Sequence, residues 1–173
     1  MIEMEVKAKA PSDAERILVS LGAVHKETLR QEDEYFQHPV RDFAKTDEAL
    51  RLRRENNRTF LTYKGPKAGG PVKTREELEI PVELSIRGIL LKLGFTPVAS
   101  VKKIRRTYIF QKFAVSIDEV EGLGLFLEVE AQQPAEKEEF FEFLKNFGVK
   151  QHDAIVASYL EMLEGNIVTP PKE

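Results

Sequence analysis

Charged side chains alternate with apolar ones along seven stretches of this sequence, and their spacing is the first pointer to chemistry. Glu3, Glu5 and Lys7 alternate with Ile2, Met4 and Val6. Arg51 and Arg53 alternate with Leu50 and Leu52, and Lys64 shares a side with Thr62 against Leu61 and Tyr63. Arg75, Glu77 and Glu79 stand against Leu78 and Ile80, Lys103 and Arg105 flank Ile104, Asp118 follows Ile117, and Glu128 and Glu130 alternate with Leu127 and Val129. Residues two apart on a strand share a face. Seven acids (3, 5, 77, 79, 118, 128, 130) and seven bases (7, 51, 53, 64, 75, 103, 105) therefore fall on one side of a sheet. A solvated outer face is the ordinary explanation for any single strand. The recurrence of strict charged pairs, opposite a Leu, Ile and Val face that helices can cover, points instead to a charged interior.

Such an interior is costly unless it holds something, because like charges across a sheet repel and buried charges need partners. Gly122-Leu123-Gly124 reads as a three-residue hairpin loop that sets Asp118 across from Glu128, with Glu130 two residues along. Facing carboxylates with no base nearby call for a divalent cation, and ligation by oxygen alone favours Mg²⁺ or Mn²⁺. The bases on the other walls call for an anion carrying several charges. Acids and bases around one cavity describe a metal–polyphosphate site. They exclude a carrier of apolar ligands, whose lumen would be greasy.

The elements that must position these residues are legible in the same sequence. Period-two alternation predicts strands at 2–9, 27–37, 48–55, 58–64, 73–82, 98–111, 113–120 and 125–132. Four amphipathic helices lie among them. The first opens on a Ser12–Glu15 capping box and ends at Gly22, and the second carries Ile86, Ile89, Leu90 and Leu93. The third follows Pro134 with Phe140, Phe143, Leu144 and Phe147, and the last is capped by Asp153 and uses Ile155, Val156, Tyr159 and Leu163. These elements build an α+β fold, with an eight-stranded antiparallel sheet that closes or nearly closes into a barrel and carries its helices outside.

The chain has 173 residues, with 26 Lys plus Arg against 29 Asp plus Glu for a net charge of −3. That length predicts a single domain over 1–165, with a frayed tail at 166–173. Near-neutral charge argues against a nucleic-acid partner. Without cysteine there is neither a disulfide framework nor thiol chemistry. No apolar run approaches the ~20 residues of a membrane span, and residues 1–10 are too charged for a signal peptide. A soluble, cytoplasmic protein is the expectation.

The alternating segments also resemble a known family. Glu3-Met4-Glu5-Val6-Lys7 matches the ExExK signature of the CYTH superfamily, the triphosphate tunnel metalloenzymes. The match gains weight from six further segments in the family's order: Asp33-Glu34-Tyr35-Phe36, Ala49 to Arg53, Thr62 to Pro66, Arg75 to Glu79, Lys103 to Tyr108, and Asp118 to Glu130. It covers roughly residues 1–163. The Gly-Leu-Gly-x-Phe-x-Glu-x-Glu run and the Lys-Gly-Pro turn are most similar to the class IV adenylate cyclase branch.

The resemblance implies an eight-stranded barrel whose tunnel binds a triphosphate and two divalent ions, Mg²⁺ or Mn²⁺. It implies metal ligation by Glu3, Glu5, Asp118, Glu128 and Glu130, with Glu77 and Glu79 as further candidates. Lys7, Arg51, Arg53, Lys64, Lys103 and Arg105 become phosphate ligands, joined by Arg75 if its strand holds register. Glu3, Glu5, Lys7, Lys103 and Arg105 are the catalytic candidates. The implied reaction is that of a phosphorus–oxygen lyase converting ATP to cyclic AMP and pyrophosphate. An inorganic or thiamine triphosphatase, or a non-catalytic nucleotide or polyphosphate-binding module, is the alternative. The resemblance also leaves room for a homodimer.

Other polar and aromatic residues have plainer readings. His25, His38 and His152 fall in loops or beside helix caps, and Arg106 reads as surface charge. Tyr35, Phe36, Tyr108 and Tyr159 read as packing, and 65–73 as a mobile hairpin connection.

Overall fold

A computed structural model describes residues 2–165, so the expected tail at 166–173 lies outside the described residues. Eight strands form one closed antiparallel barrel. They are β1 (Ile2–Lys9), β2 (Val24–Gln37), β3 (Ala49–Glu55), β4 (Arg58–Lys64), β5 (Lys73–Pro81), β6 (Thr96–Phe110), β7 (Phe113–Val120) and β8 (Gly124–Ala131). Around the barrel the order is β1-β5-β4-β3-β2-β6-β7-β8, and β8 returns to β1. Among the described residues five α-helices accompany them: α1 (Ala14–Ser20), α2 (Phe43–Thr46), α3 (Ile86–Lys92), α4 (Lys137–Leu144) and α5 (Tyr159–Leu163).

Alternation decides where the core sits. The outward Val6, Ala8, Val115 and Val129 are sealed by Leu18 of α1 and by Phe140 and Leu144 of α4. Leu90 of α3 and Phe43 of α2 cover Phe36, Leu50 and Leu52 in the same way. A third cluster arises on the inward face. Tyr35, Val101, Val120 and Phe126 share strand parity with the charged residues, and they pack against Tyr159 and Met162 of α5. That apolar floor closes part of the barrel interior and leaves the rest to charge.

Three local expectations are corrected. The Ser12–Glu15 box does not form: α1 begins after Asp13 with no side-chain cap, and the Asp13 carboxylate is taken by Arg16. The last helix does not start at Asp153, which ends a 3₁₀ turn over Gln151–Asp153. Residues 154–157 stay out of helix because the Ile155 amide donates to the Lys7 carbonyl at 2.7 Å, holding the chain against β1. Only then does α5 start, with Ser158 accepting from the Glu161 amide at its N-terminus.

The third correction concerns register. The β7–β8 turn closes on the pair Val120 and Gly124, so Asp118 faces Phe126, and Glu128 faces Ser116 rather than Asp118. Gly122 and Gly124 supply the positive φ values, +79° and +92°, that this turn requires. The offset from the expected pairing is two residues. An even shift leaves every side chain on its original face.

Candidate active site

Neighbouring strands bring the alternating charges to one place. Register pairs Glu5 with Glu130 and Lys7 with Glu128 between β1 and β8, and Glu3 with Arg75 and Glu5 with Lys73 between β1 and β5. Arg51 and Arg53 stand across from Tyr35 and Asp33 between β3 and β2. The resulting cavity has a volume of about 1550 Å³, and every expected site residue except Asp118 lines it. Asp118, also on the inner face, is fully buried beneath the cavity lining, where Arg105 Nε and the Tyr159 hydroxyl donate to it at 2.7 and 2.9 Å.

The expectation of carboxylates free of bases is overturned. Arg105 lies between Asp118 and Glu128 and donates to both. Lys73 pairs with Glu5, and Lys64 with Glu77. Lys7 lies 3.6 Å from Glu128, and Arg51 donates to Glu79 at 3.1 Å. The cause is proximity: strands that place acids and bases on one concave face let most of these acids reach a base one or two strands away. Among the described residues no three acids converge as a ready-made metal cluster.

These pairings set the electrostatics. Burial alone would raise Glu5 and Glu128, but Lys73 beside the first and Arg105 beside the second hold both carboxyls below the usual range. Glu3 moves the other way. Burial, a hydrogen bond to Glu77 and the nearby Glu5 charge push its carboxyl up, while Glu77 stays low beside Lys64. Glu3 Oε2 is buried without a hydrogen-bond partner. Burial, then the charge of Arg105, push the Lys103 ammonium down to about 7, with Asp118 opposing.

Several residues escaped the sequence reading. Lys73 sits two residues before Arg75 and shares its face, and the period-two rule that found Arg75 reaches it too. Asp33 is 1% exposed and accepts from Arg53 Nε and Nη2, both at 2.7 Å. Gln31, two residues earlier, donates to Glu55 at 2.8 Å. Tyr159 proves to be more than packing, since its hydroxyl reaches Asp118 and its ring lies 4.2 Å from Lys7 Nζ.

Arg75 does turn inward, but its guanidinium is held by the main-chain oxygens of Gly65 and Asp47. Arg106 turns outward to Glu15 and Glu119, as its surface reading expected. None of the three histidines lines the cavity. The 65–72 connection is tied down: Lys67 pairs with Asp47 and with Glu161 of α5.

The donor set fits a divalent cation. Glu3, Glu5, Glu77, Glu128 and Glu130 present hard oxygen ligands from three adjoining strands, and the orphaned Glu3 oxygen marks a buried acceptor still lacking a donor. Opposite them, Arg51, Arg53, Lys64 and Lys103 present cationic donors suited to phosphoryl oxygens.

The CYTH domain family model matches residues 1–159. A Methanocaldococcus jannaschii protein named "Putative adenylate cyclase MJ0240" is 42% identical, over 94% of this chain and 98% of its own. The solved structure of the PH1819 protein from Pyrococcus horikoshii OT3 superposes with a TM-score of 0.82 at 37% identity, over 95% of this chain and 99% of that one. At 20% identity and a TM-score of 0.71, covering 97% of this chain and 98% of that one, the Hippeastrum protein HpAC1 shares the fold. It is named a "putative adenylyl cyclase" with a dominant triphosphatase activity.

Proposed function

The chain belongs to the CYTH domain family, and on that premise we propose that its tunnel binds a triphosphate with divalent cations and cyclises ATP to cyclic AMP and pyrophosphate. The observation that carries this reading is the convergence of Glu3, Glu5, Glu128 and Glu130 with Arg51, Arg53, Lys64 and Lys103 on one cavity. The adenylate cyclase name of the 42% identical relative supports the choice of reaction. Cytoplasm, which supplies both ATP and Mg²⁺, is the compartment that suits it.

The carboxylates would hold one or two ions of Mg²⁺ or Mn²⁺, which supply Lewis acidity at the reacting oxygens. The chain's own residues do the rest. Arg51, Arg53, Lys64 and Lys103 spread positive charge along the phosphate chain and hold it extended for in-line attack by the ribose 3′-oxygen on the α-phosphorus. The same bases stabilise the charge that collects on departing pyrophosphate. Asp33 holds Arg53 in place, and Asp118 holds Arg105, so neither guanidinium has to be ordered when substrate arrives.

A triphosphatase is the second reading, because the same walls serve attack by water on a terminal phosphorus. The triphosphatase activity ascribed to the Hippeastrum protein of the same fold favours it. Incubation with ATP, tripolyphosphate or thiamine triphosphate, plus Mg²⁺ or Mn²⁺, separates the two. Cyclic AMP with pyrophosphate supports the cyclase and orthophosphate the triphosphatase, whereas unaltered substrates contradict both. Glu5→Gln and Glu128→Gln should each lower turnover by about 100-fold or more, the scale of losing one preorganised electrostatic group.

A further inference from the structure

The pairings inside the tunnel have a regular pattern. Bases assigned to the phosphate side rest on carboxylates assigned to the cation side: Lys64 on Glu77, Arg105 on Glu128, Lys7 near Glu128, and Arg51 on Glu79. Lys73, which belongs to neither set, rests on Glu5. Both partners of that last pair are buried, with side chains 9% and 10% exposed. The tunnel is thus neutralised internally, by its own future ligands.

We propose that ligands enter this tunnel by exchange: a cation and a polyphosphate together replace the internal ion pairs, with Lys73 released from Glu5 to join the phosphate side. The inference rests on the function proposed above. A cation alone must take Glu5 from Lys73 and leave a buried ammonium unpaired. A polyphosphate alone must take Lys73 and leave a buried carboxylate unpaired. Either half-exchange carries the penalty of an uncompensated buried charge. When both ligands arrive, each satisfies the groups the other has freed. The two therefore bind with positive coupling, and by linkage the coupling is reciprocal. Glu130 gives the contrast, since among the described residues it accepts from Gln132 and makes no ion pair.

The exchange predicts gains of affinity, which a merely structural pair would not produce. Isothermal titration of the full chain, with tripolyphosphate alone in EDTA and with Mn²⁺ alone, reads them directly. Glu5→Gln frees Lys73 and should bind metal-free tripolyphosphate about tenfold tighter than wild type, while losing Mn²⁺ affinity. Lys73→Met frees Glu5 and should bind Mn²⁺ alone about tenfold tighter, while losing tripolyphosphate affinity. Glu130→Gln makes the same charge change as Glu5→Gln without releasing a lysine, so its gain should be much smaller. Equal gains in Glu5→Gln and Glu130→Gln would reduce the effect to net charge and overturn the exchange, as would no gain in Glu5→Gln. If Lys73→Met does not fold, the Glu5 and Glu130 pair decides the matter. A wild type that binds neither probe, even with both present, defeats the proposed function itself. One that binds both, without the reciprocal gains in its variants, defeats the exchange alone.

Discussion

Arg53 meets Asp33 through two hydrogen bonds of 2.7 Å, and Arg51 lies 3.9 Å from the same carboxylate. Burial alone would raise Asp33. Arg53, then Arg51 and Lys103, hold its carboxyl well below the usual range instead. A carboxyl depressed in the folded state adds stability in full above its unfolded value of about 3.9, and that contribution is lost as pH falls further. Asp33→Asn should therefore cost about 3 kcal/mol or more near neutrality, by stranding buried guanidinium charge. Its unfolding free energy, measured in urea, should also fall less steeply below about pH 4 than that of wild type. Tyr159→Phe is a smaller change. Losing the donor to Asp118 should cost about 1.5–3 kcal/mol in the same measurement, while the ring stays against Lys7. At this scale the sequence is most legible where strand parity is worked through residue by residue. Lys73 is legible by its parity with Arg75, whereas Asp33 escapes because Glu32 and Glu34 put charge on the opposite face of 27–37 as well, so alternation there does not sort the charged side chains.

Elements show why parity survives when register does not. The β7–β8 pairing differs from expectation by two residues, which moves Asp118 away from Glu128 along the strand yet leaves both on the inner face. Strand existence and sidedness are written locally, in alternation. The β1–β5 and β2–β6 contacts join segments far apart in sequence, and no local pattern announces them. The α5 boundary has a similar origin: the main chain of Lys7 captures residues that helical periodicity would have wound up. With only five residues, α5 depends on its ends and its neighbours. Ser158→Ala removes the hydroxyl that accepts the Glu161 amide and should cost about 1 kcal/mol. Hydrogen exchange should detect that loss as faster exchange across 159–163, with the barrel strands unchanged.

Across the whole molecule, near-zero net charge conceals acids and bases gathered on one interior face, most of them paired with one another. The chain's −3 is a sum over 26 bases and 29 acids, many of which meet inside one barrel. Buried pairs are screened far less by salt than charges meeting an incoming ligand from solvent. Raising NaCl from about 50 to about 500 mM should therefore shift the melting temperature little, yet weaken tripolyphosphate binding severalfold, by calorimetry at each salt concentration. The most direct measurement is diffraction from crystals grown with Mn²⁺ and tripolyphosphate, with anomalous data to locate the metal. Phosphorus should appear among Arg51, Arg53, Lys64 and Lys103, and Mn²⁺ against the carboxylates of Glu3, Glu5, Glu128 or Glu130. Ligands bound only on the outer surface of the barrel, with the internal ion pairs intact, would contradict a triphosphate tunnel.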